Sequence, residues 1–347
     1  MKSNRTSATS IVSRVLLGLL TIMTGSWGIF ALIFSEPHND IVRSILATAF
    51  GVASLATLIA LGFRRWHWQA LAGYFALFSL LLIWWSNIKP SNERDWQIDV
   101  AMLPYATIEG DLITVHNIRN FDYRSETDYT PSYYDKRFDL SKLEAVDMVA
   151  SYWMGPAIAH IFLSFSFADD NYLAISIETR KEKGEDYSSI RGFFRQYELI
   201  YVVADERDII RLRTNYRENP PEDTYIYRIS GSIENGRRLF LEYIHRINKL
   251  NAKPEFYNTL TTNCTTSIWL NTRVNQTHPP FNWRILASGY LPELLYERGK
   301  LKTDGLTFPE LQQLSHINAR AQAADDTVDF SRLIRAKDIN LTPTTIP

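Results

Sequence analysis

The chain of 347 residues holds one cysteine, no surplus of either charge, and no repeat or low-complexity tract. A lone thiol excludes a disulfide framework within the chain. Thirty-seven Lys and Arg stand against 38 Asp and Glu, a net charge of −1, so no global basic field points to nucleic acid. Neither an HExxH motif nor a paired cysteine is present, so the His and Cys lack zinc spacing, and no metal or other cofactor is expected. What is abundant is apolar surface. Hydrophobic residues make up 46% and aromatics 13%, too apolar for a disordered chain.

That apolar content is concentrated at the start. Val15–Phe34, Ile45–Phe63 and Ala70–Trp85 carry no charge, and each is long enough or nearly so to cross a bilayer core about 30 Å thick. A cleaved signal peptide is disfavoured for the first run, because two more follow at once and no small-residue site closes it. Lys2, Arg5 and Arg14 precede the first run, and Arg64 and Arg65 separate the second from the third. The intervening "SEPHNDIVR" has one Arg and two acids. The positive-inside rule then puts the N-terminus in the cytoplasm and everything after about residue 88 outside. The expected organisation is three transmembrane helices over 1–88, an extracytoplasmic domain over 89–315 and a tail over 316–347, with the lipid bilayer as the first partner.

Within the outer part, "DLITVHNIRNFDY" (111–123) reads as a strand and 125–149 as a polar, Tyr-rich loop closing on a short strand. Residues 155–185 read as two strands about an Ala168–Asn171 turn. "RLFLEYIHRINKL" (238–250) has helical apolar spacing, and further helices are expected after Cys264 and over 279–299. Strands first and helices later indicate an α+β domain.

The hairpin carries the chemistry. His160 shares a strand face with Ser164 and Ser166, and Ser176, Glu178 and Arg180 share one on the next strand. A five-residue loop sets Glu178 opposite His160; a three-residue loop sets Arg180 there and Glu178 diagonal. Either way a carboxylate neighbours an imidazole, which fixes its tautomer and leaves one nitrogen basic. Cys264 follows Thr262 and Asn263, both N-cap types, at the start of "CTTSIWL". A helix N-terminus lowers a thiol's pKa and offers free N–H groups to an oxyanion. Thiol, imidazole and orienting group together are the constellation of a cysteine hydrolase or transferase. The blander readings are a half-exposed polar sheet face and a buried inert thiol. Asn263, Ser176, Arg180 and His116 are candidates for substrate binding or support of the pair. Arg207, Arg211, Arg213 and Arg217 read as a solvated surface, with a phosphate patch as the alternative.

The blocks "ITVHNIRNFDYRSETDYTPSYYD", "SYWMGPAIAHIFLSFSF", "YLAISIETRKEKGEDYS", "FFRQYELIYVVADERD" and "FYNTLTTNCTTSIW" resemble, in this order, the Lnb N-terminal periplasmic domain family. The resemblance spans roughly residues 95–300. It implies a circularly permuted papain-like (NlpC/P60-like) thiol domain on the periplasmic side of a bacterial inner (cytoplasmic) membrane. It also implies an enzyme, with Cys264 as nucleophile, His160 as base and lipoprotein N-acyl transfer as the family's named activity. Glu178 as the orienting residue rests on the strand geometry. This chain departs from that acyltransferase in ending on a polar stretch instead of further spans. The expected function is therefore an acyltransferase or hydrolase acting through an acyl-thioester on lipoproteins or lipid-linked substrates. A cell-wall amidase or peptidase using the same pair, or a non-catalytic envelope binding protein, are the alternatives.

Overall fold

A computed structural model describes residues 8–35, 39–63 and 65–336. Lys2, Arg5, Arg64 and the stretch from 337 lie outside the described residues. The chain divides into two compact units, one of Met1–Ser91 with Tyr187–Tyr197, the other of Asn92–Asp186 with Glu198–Pro347.

The first unit contains α1 (Ala8–Phe34), α2 (Asp40–Ala60) and α3 (His67–Asn87). All three are long and apolar enough to cross a membrane. The second ends before Phe63, where Leu61 caps it and Gly62 turns back onto the Ile59 carbonyl. Leu32, Phe50, Tyr74 and Leu81 form its core, and the Thr24 and Tyr74 hydroxyls meet at 2.8 Å. Gly28 permits that packing, since a Cβ there would lie 2.4 Å from the Phe50 ring. The segment 187–197 belongs to this unit through Phe194, whose carbonyl accepts from Ser35 at 2.6 Å and whose ring contacts Trp27, Phe30 and Phe34.

The second unit is built on strands β1 (Tyr105–Glu109), β2 (Leu112–Arg119), the short pair β3 (Asp122–Tyr123) and β4 (Tyr129–Thr130), β5 (Tyr133–Asp139), β6 (Leu143–Tyr152), β7 (Ala159–Phe167), β8 (Asn171–Arg180), β9 (Glu198–Ala204) and β10 (Asp223–Arg228). Eight of them form one sheet in the order β1-β2-β9-β8-β7-β6-β10, with β5 on β2. Its helices are α4 (Ile98–Ala101), α5 (Glu206–Arg211), α6 (Ile233–Ala252), α7 (Cys264–Asn271), α8 (Leu291–Glu297), α9 (Phe308–Ser315), α10 (Asn318–Ala323) and α11 (Phe330–Leu333). The mixed α+β class therefore holds, but the sheet is much larger than one hairpin. The region 125–149, expected to be mostly loop, supplies β5 and most of the ten-residue β6.

Both faces of the central strands are covered, which explains the near-continuous apolar runs of β7 and β9. On one face Phe165 and Phe167 pack edge-on against Phe240 and Tyr243 of α6. On the other, Phe162, Ile200 and Val202 pack with Ile209, Ala321 and Phe330. The face that reads as half-exposed in sequence is thus roofed by α5, α10 and α11, and its hydroxyls find partners there: Ser164 donates to the buried Glu206. Residues 317–334, placed in the tail on sequence grounds, bury Ile317, Phe330 and Ile334 in this layer.

Candidate active site

The hairpin turn occupies 168–170, with Asp169 and Asp170 at φ of 61° and 53°, left-handed values that Asp tolerates. The loop is the three-residue one, yet the register brings Glu178, not Arg180, level with His160, because the turn is centred on Asp169. Pairing of β7 with β8 runs from Phe167–Asn171 to Leu163–Ile175 and stops. Beyond that point β7 stays paired with β6 as far as Ala159, and β8 with β9 as far as Arg180. The two strands therefore part, each still held on its outer side.

Cys264 meets His160 at this opening. Asn263 caps α7, its side chain accepting from the Thr266 N–H at 2.8 Å, so Cys264 is the first helical residue. The thiol hydrogen-bonds the His160 imidazole and receives the N–H groups of Ile161 and Thr265. Burial pushes the thiol up, but the bond and charge of His160, then these two N–H groups, bring it below its ordinary value. Burial and the Arg213 guanidinium push the imidazole down, but its contacts with Cys264 and Glu178 prevail and hold it above the usual histidine value. The directions are those of a thiolate–imidazolium pair.

Behind the imidazole stands a hydroxyl. His160 Nε2 lies 2.7 Å from Ser176 Oγ, which donates at 2.7 Å to Glu178 Oε1, while Nε2 and Oε1 are 3.5 Å apart. A hydroxyl has one proton, and here it goes to the carboxylate, so Ser176 accepts from Nε2–H and leaves Nδ1 for the thiol. Burial raises Glu178, yet His160 first, then Arg213 and Arg119, hold it well below the carboxylate range. Arg213 lies 3.3 Å from Glu178 and 3.1 Å from Glu222, and Glu222 also takes Ser151 Oγ at 2.6 Å and pairs with Arg217. Glu222 is raised by burial but lowered more by Arg213 and Arg217, to about 2.

Three expectations are corrected here. Arg180 turns away from the site: its guanidinium donates to the carbonyls of Val100 and Ala101 and lies 4.2 Å over Trp96. His116, on β2, stacks on Tyr105 at 4.4 Å, with Asp135 2.7 Å from Nδ1 and Thr107 3.0 Å from Nε2. Two strands, β9 and β8, separate β2 from β7. Arg211 and Arg213 are buried, not solvated. Arg213 is the supporting residue that sequence reasoning missed. A run of four arginines looks like surface, and only the coverage of the sheet turns one of them onto Glu178.

The loops beside the pair are apolar. Residues 287–290 are pinned to the turn before His160: Gly289 N–H donates to Ala157, Ser288 bonds both main-chain groups of Ala159, and Tyr152 donates to the Gly289 carbonyl. Glycine is required at 289, because a Cβ would lie 2.0 Å from the Pro156 carbonyl oxygen. On these loops and the one before Cys264, Met154, Ile158, Leu260, Trp283 and Leu286 are exposed.

Among known proteins, residues 129–289 match the family model described as the Lnb N-terminal periplasmic domain. The match takes in Cys264, His160, Ser176, Glu178 and Arg213 and leaves out His116. No curated protein and no solved structure matches the chain. Three helices able to span a membrane, with a periplasmic-domain match after them, fit an inner-membrane protein with a periplasmic domain. Over residues 129–289 the chain is similar to the Lnb N-terminal periplasmic domain family.

Proposed function

We propose that this protein is a multi-pass inner-membrane enzyme whose periplasmic domain uses Cys264 for acyl transfer or hydrolysis through an acyl-thioester. The observation that carries this reading is the hydrogen-bonded line from Cys264 through His160 and Ser176 to Glu178, set at a helix N-terminus. The Cys264 thiolate attacks an acyl carbonyl, and a C–S bond forms. The Cys264 N–H, in the first turn of α7, is the donor proposed for the developing oxyanion. The His160 imidazolium protonates the leaving oxygen or nitrogen as its bond to the acyl carbon breaks. In the second half, neutral His160 takes a proton from an acceptor amine or from water. The acceptor adds to the carbonyl, the C–S bond breaks and the thiolate returns.

A lipidated substrate, a lipoprotein or a lipid-linked compound, is favoured by the exposed apolar residues around the pair and by three helices able to anchor the site at a bilayer. The fold of this site, a cysteine helix set against a sheet whose histidine precedes it in the chain, is consistent with a permuted papain-like arrangement. The test uses the full chain in nanodiscs. Iodoacetamide should label Cys264 rapidly at pH 6, and labelling should fall sharply in His160→Ala. Incubation with a diacylated lipopeptide should leave a hydroxylamine-labile acyl adduct on Cys264 that Cys264→Ser lacks. Slow labelling at every pH, indifferent to His160, would leave the domain a binding module.

A further inference from the structure

The second unit contains an apolar cavity of about 520 Å³, within the range of ligand sites and far above the voids a packed interior leaves empty. Met148 and Leu163 of the sheet form its floor, and Leu239, Ile268, Trp269 and Leu294 of the covering helices its walls. One end reaches Ile161 and Thr265, whose N–H groups face the Cys264 sulfur. The other is rimmed by Arg228, Arg298, Lys300 and Lys302, against one acid, Glu144. Arg228 is paired with Asp147, and Lys302 stands 4.0 Å from Asp304. Among the described residues Arg298 and Lys300 have no carboxylate within ion-pair distance. The two ends are fixed by register. Arg228 pairs with Asp147, Ser230 and Lys300 are joined through the main chain, and Ile229 donates to Val146; Ile161 is level with Ala150. From Ala150 to Val146 the strand advances roughly 13 Å.

We propose that this cavity binds an anionic amphiphile with a single hydrocarbon chain, its head on the Arg298–Lys300–Lys302 rim and its tail running toward the back of the Cys264 loop. The charge placement argues against a chain being transferred. An acyl group under attack carries its polar end at the thiol, whereas here the cations lie at the opposite end. The site is therefore distinct from the reacting centre and does not rest on Cys264 being a nucleophile. Two head chemistries satisfy it, a carboxylate or a phosphate monoester, and both present an anion on one chain.

The test is photo-crosslinking of the full chain in nanodiscs with hexadecanoate bearing a terminal diazirine. Saturable labelling of peptides containing Leu239, Ile268 or Leu294 is expected, competed by unlabelled hexadecanoate or by a monoacyl glycerol phosphate. The stronger competitor identifies the head. The Lys300→Glu/Lys302→Glu variant, altered only at exposed side chains, should weaken competition at least tenfold, and Leu295→Trp should abolish labelling by filling the cavity. Cys264→Ser should label as the wild type does. Competition by the methyl ester equal to that of the acid, or indifference to the double charge reversal, would overturn the proposal. So would loss of labelling in Cys264→Ser, because the chain would then occupy the reacting site. Absence of saturable labelling at these peptides would overturn it as well.

Discussion

Two histidines in this domain each have a hydroxyl within hydrogen-bond distance and a carboxylate close by. His116 has Thr107 at 3.0 Å and Asp135 at 2.7 Å; His160 has Ser176 at 2.7 Å, with Glu178 behind it. As inventories of groups they are nearly equal, and their surroundings separate them. Asp135 is 57% exposed and Thr107 is on the surface, so water competes with every bond. The carboxylate behind His160 is held by a buried arginine, and the imidazole's other side faces a thiol at a helix N-terminus. A hydrogen-bonded triad is common protein furniture. Burial, a charged buttress and a neighbouring thiol make one of these two a candidate centre.

The comparison can be broken most directly through the bases. His160→Ala should slow iodoacetamide labelling of Cys264 at pH 6 by about a hundredfold or more, since the imidazole's bond and charge are the main effects that offset burial of the thiol. Next in size is the buttress. The depressed Glu222 stabilises the fold above the unfolded carboxylate value and loses that contribution as pH falls from about 4.5 through about 2. Glu222→Gln should therefore lower stability at pH 7 by on the order of 3 kcal/mol and flatten the acid limb of melting temperature against pH. Asp135→Asn, at the exposed histidine, should leave melting at pH 7 nearly unchanged.

Smaller effects sharpen the roles within the line. Glu178→Gln and Ser176→Ala should each reduce labelling at pH 6 about tenfold and move the midpoint of rate against pH upward, because the imidazolium that stabilises the thiolate loses support. Equal shifts from the two variants would show that the hydroxyl transmits the carboxylate's effect. A shift from Glu178→Gln alone would mean that the charge acts through space. Asn263→Ala should cost about 1 kcal/mol of stability as a lost helix cap. The smallest effect sets the control: His116→Ala should change Cys264 labelling less than about twofold.

Much of this site was legible before the fold was known. Cys264 after an Asn cap, and a strand period that sets His160 beside Ser176 and Glu178, both follow from local chemistry, and local chemistry survives folding. The three long apolar helices were legible for the same reason. The order within the line was not, because whether Ser176 stands between the imidazole and the carboxylate depends on ångström-scale positions, not on a period of two. Arg213 and Arg180 exchanged roles for a longer-range reason. Arg213 becomes buried because α5, α10 and α11 roof a face whose alternating serines resemble solvent exposure, and Arg180 is drawn off by carbonyls at residues 100 and 101. Strand β6 was hidden by the polar, tyrosine-rich stretch before it.

The parting of β7 from β8 also governs which changes this domain tolerates. At Ile161 a main-chain amide addresses the sulfur, and no side-chain replacement removes it. Part of the site is therefore written in spacing: two residues lie between the last paired position, Leu163, and His160. A one-residue insertion there would leave every residue of the line in place and rotate the imidazole and the amide to the wrong sides of the sheet. Among variants of this chain, length between the ladder's end and the histidine should be guarded more strictly than the identity of the residues that fill it.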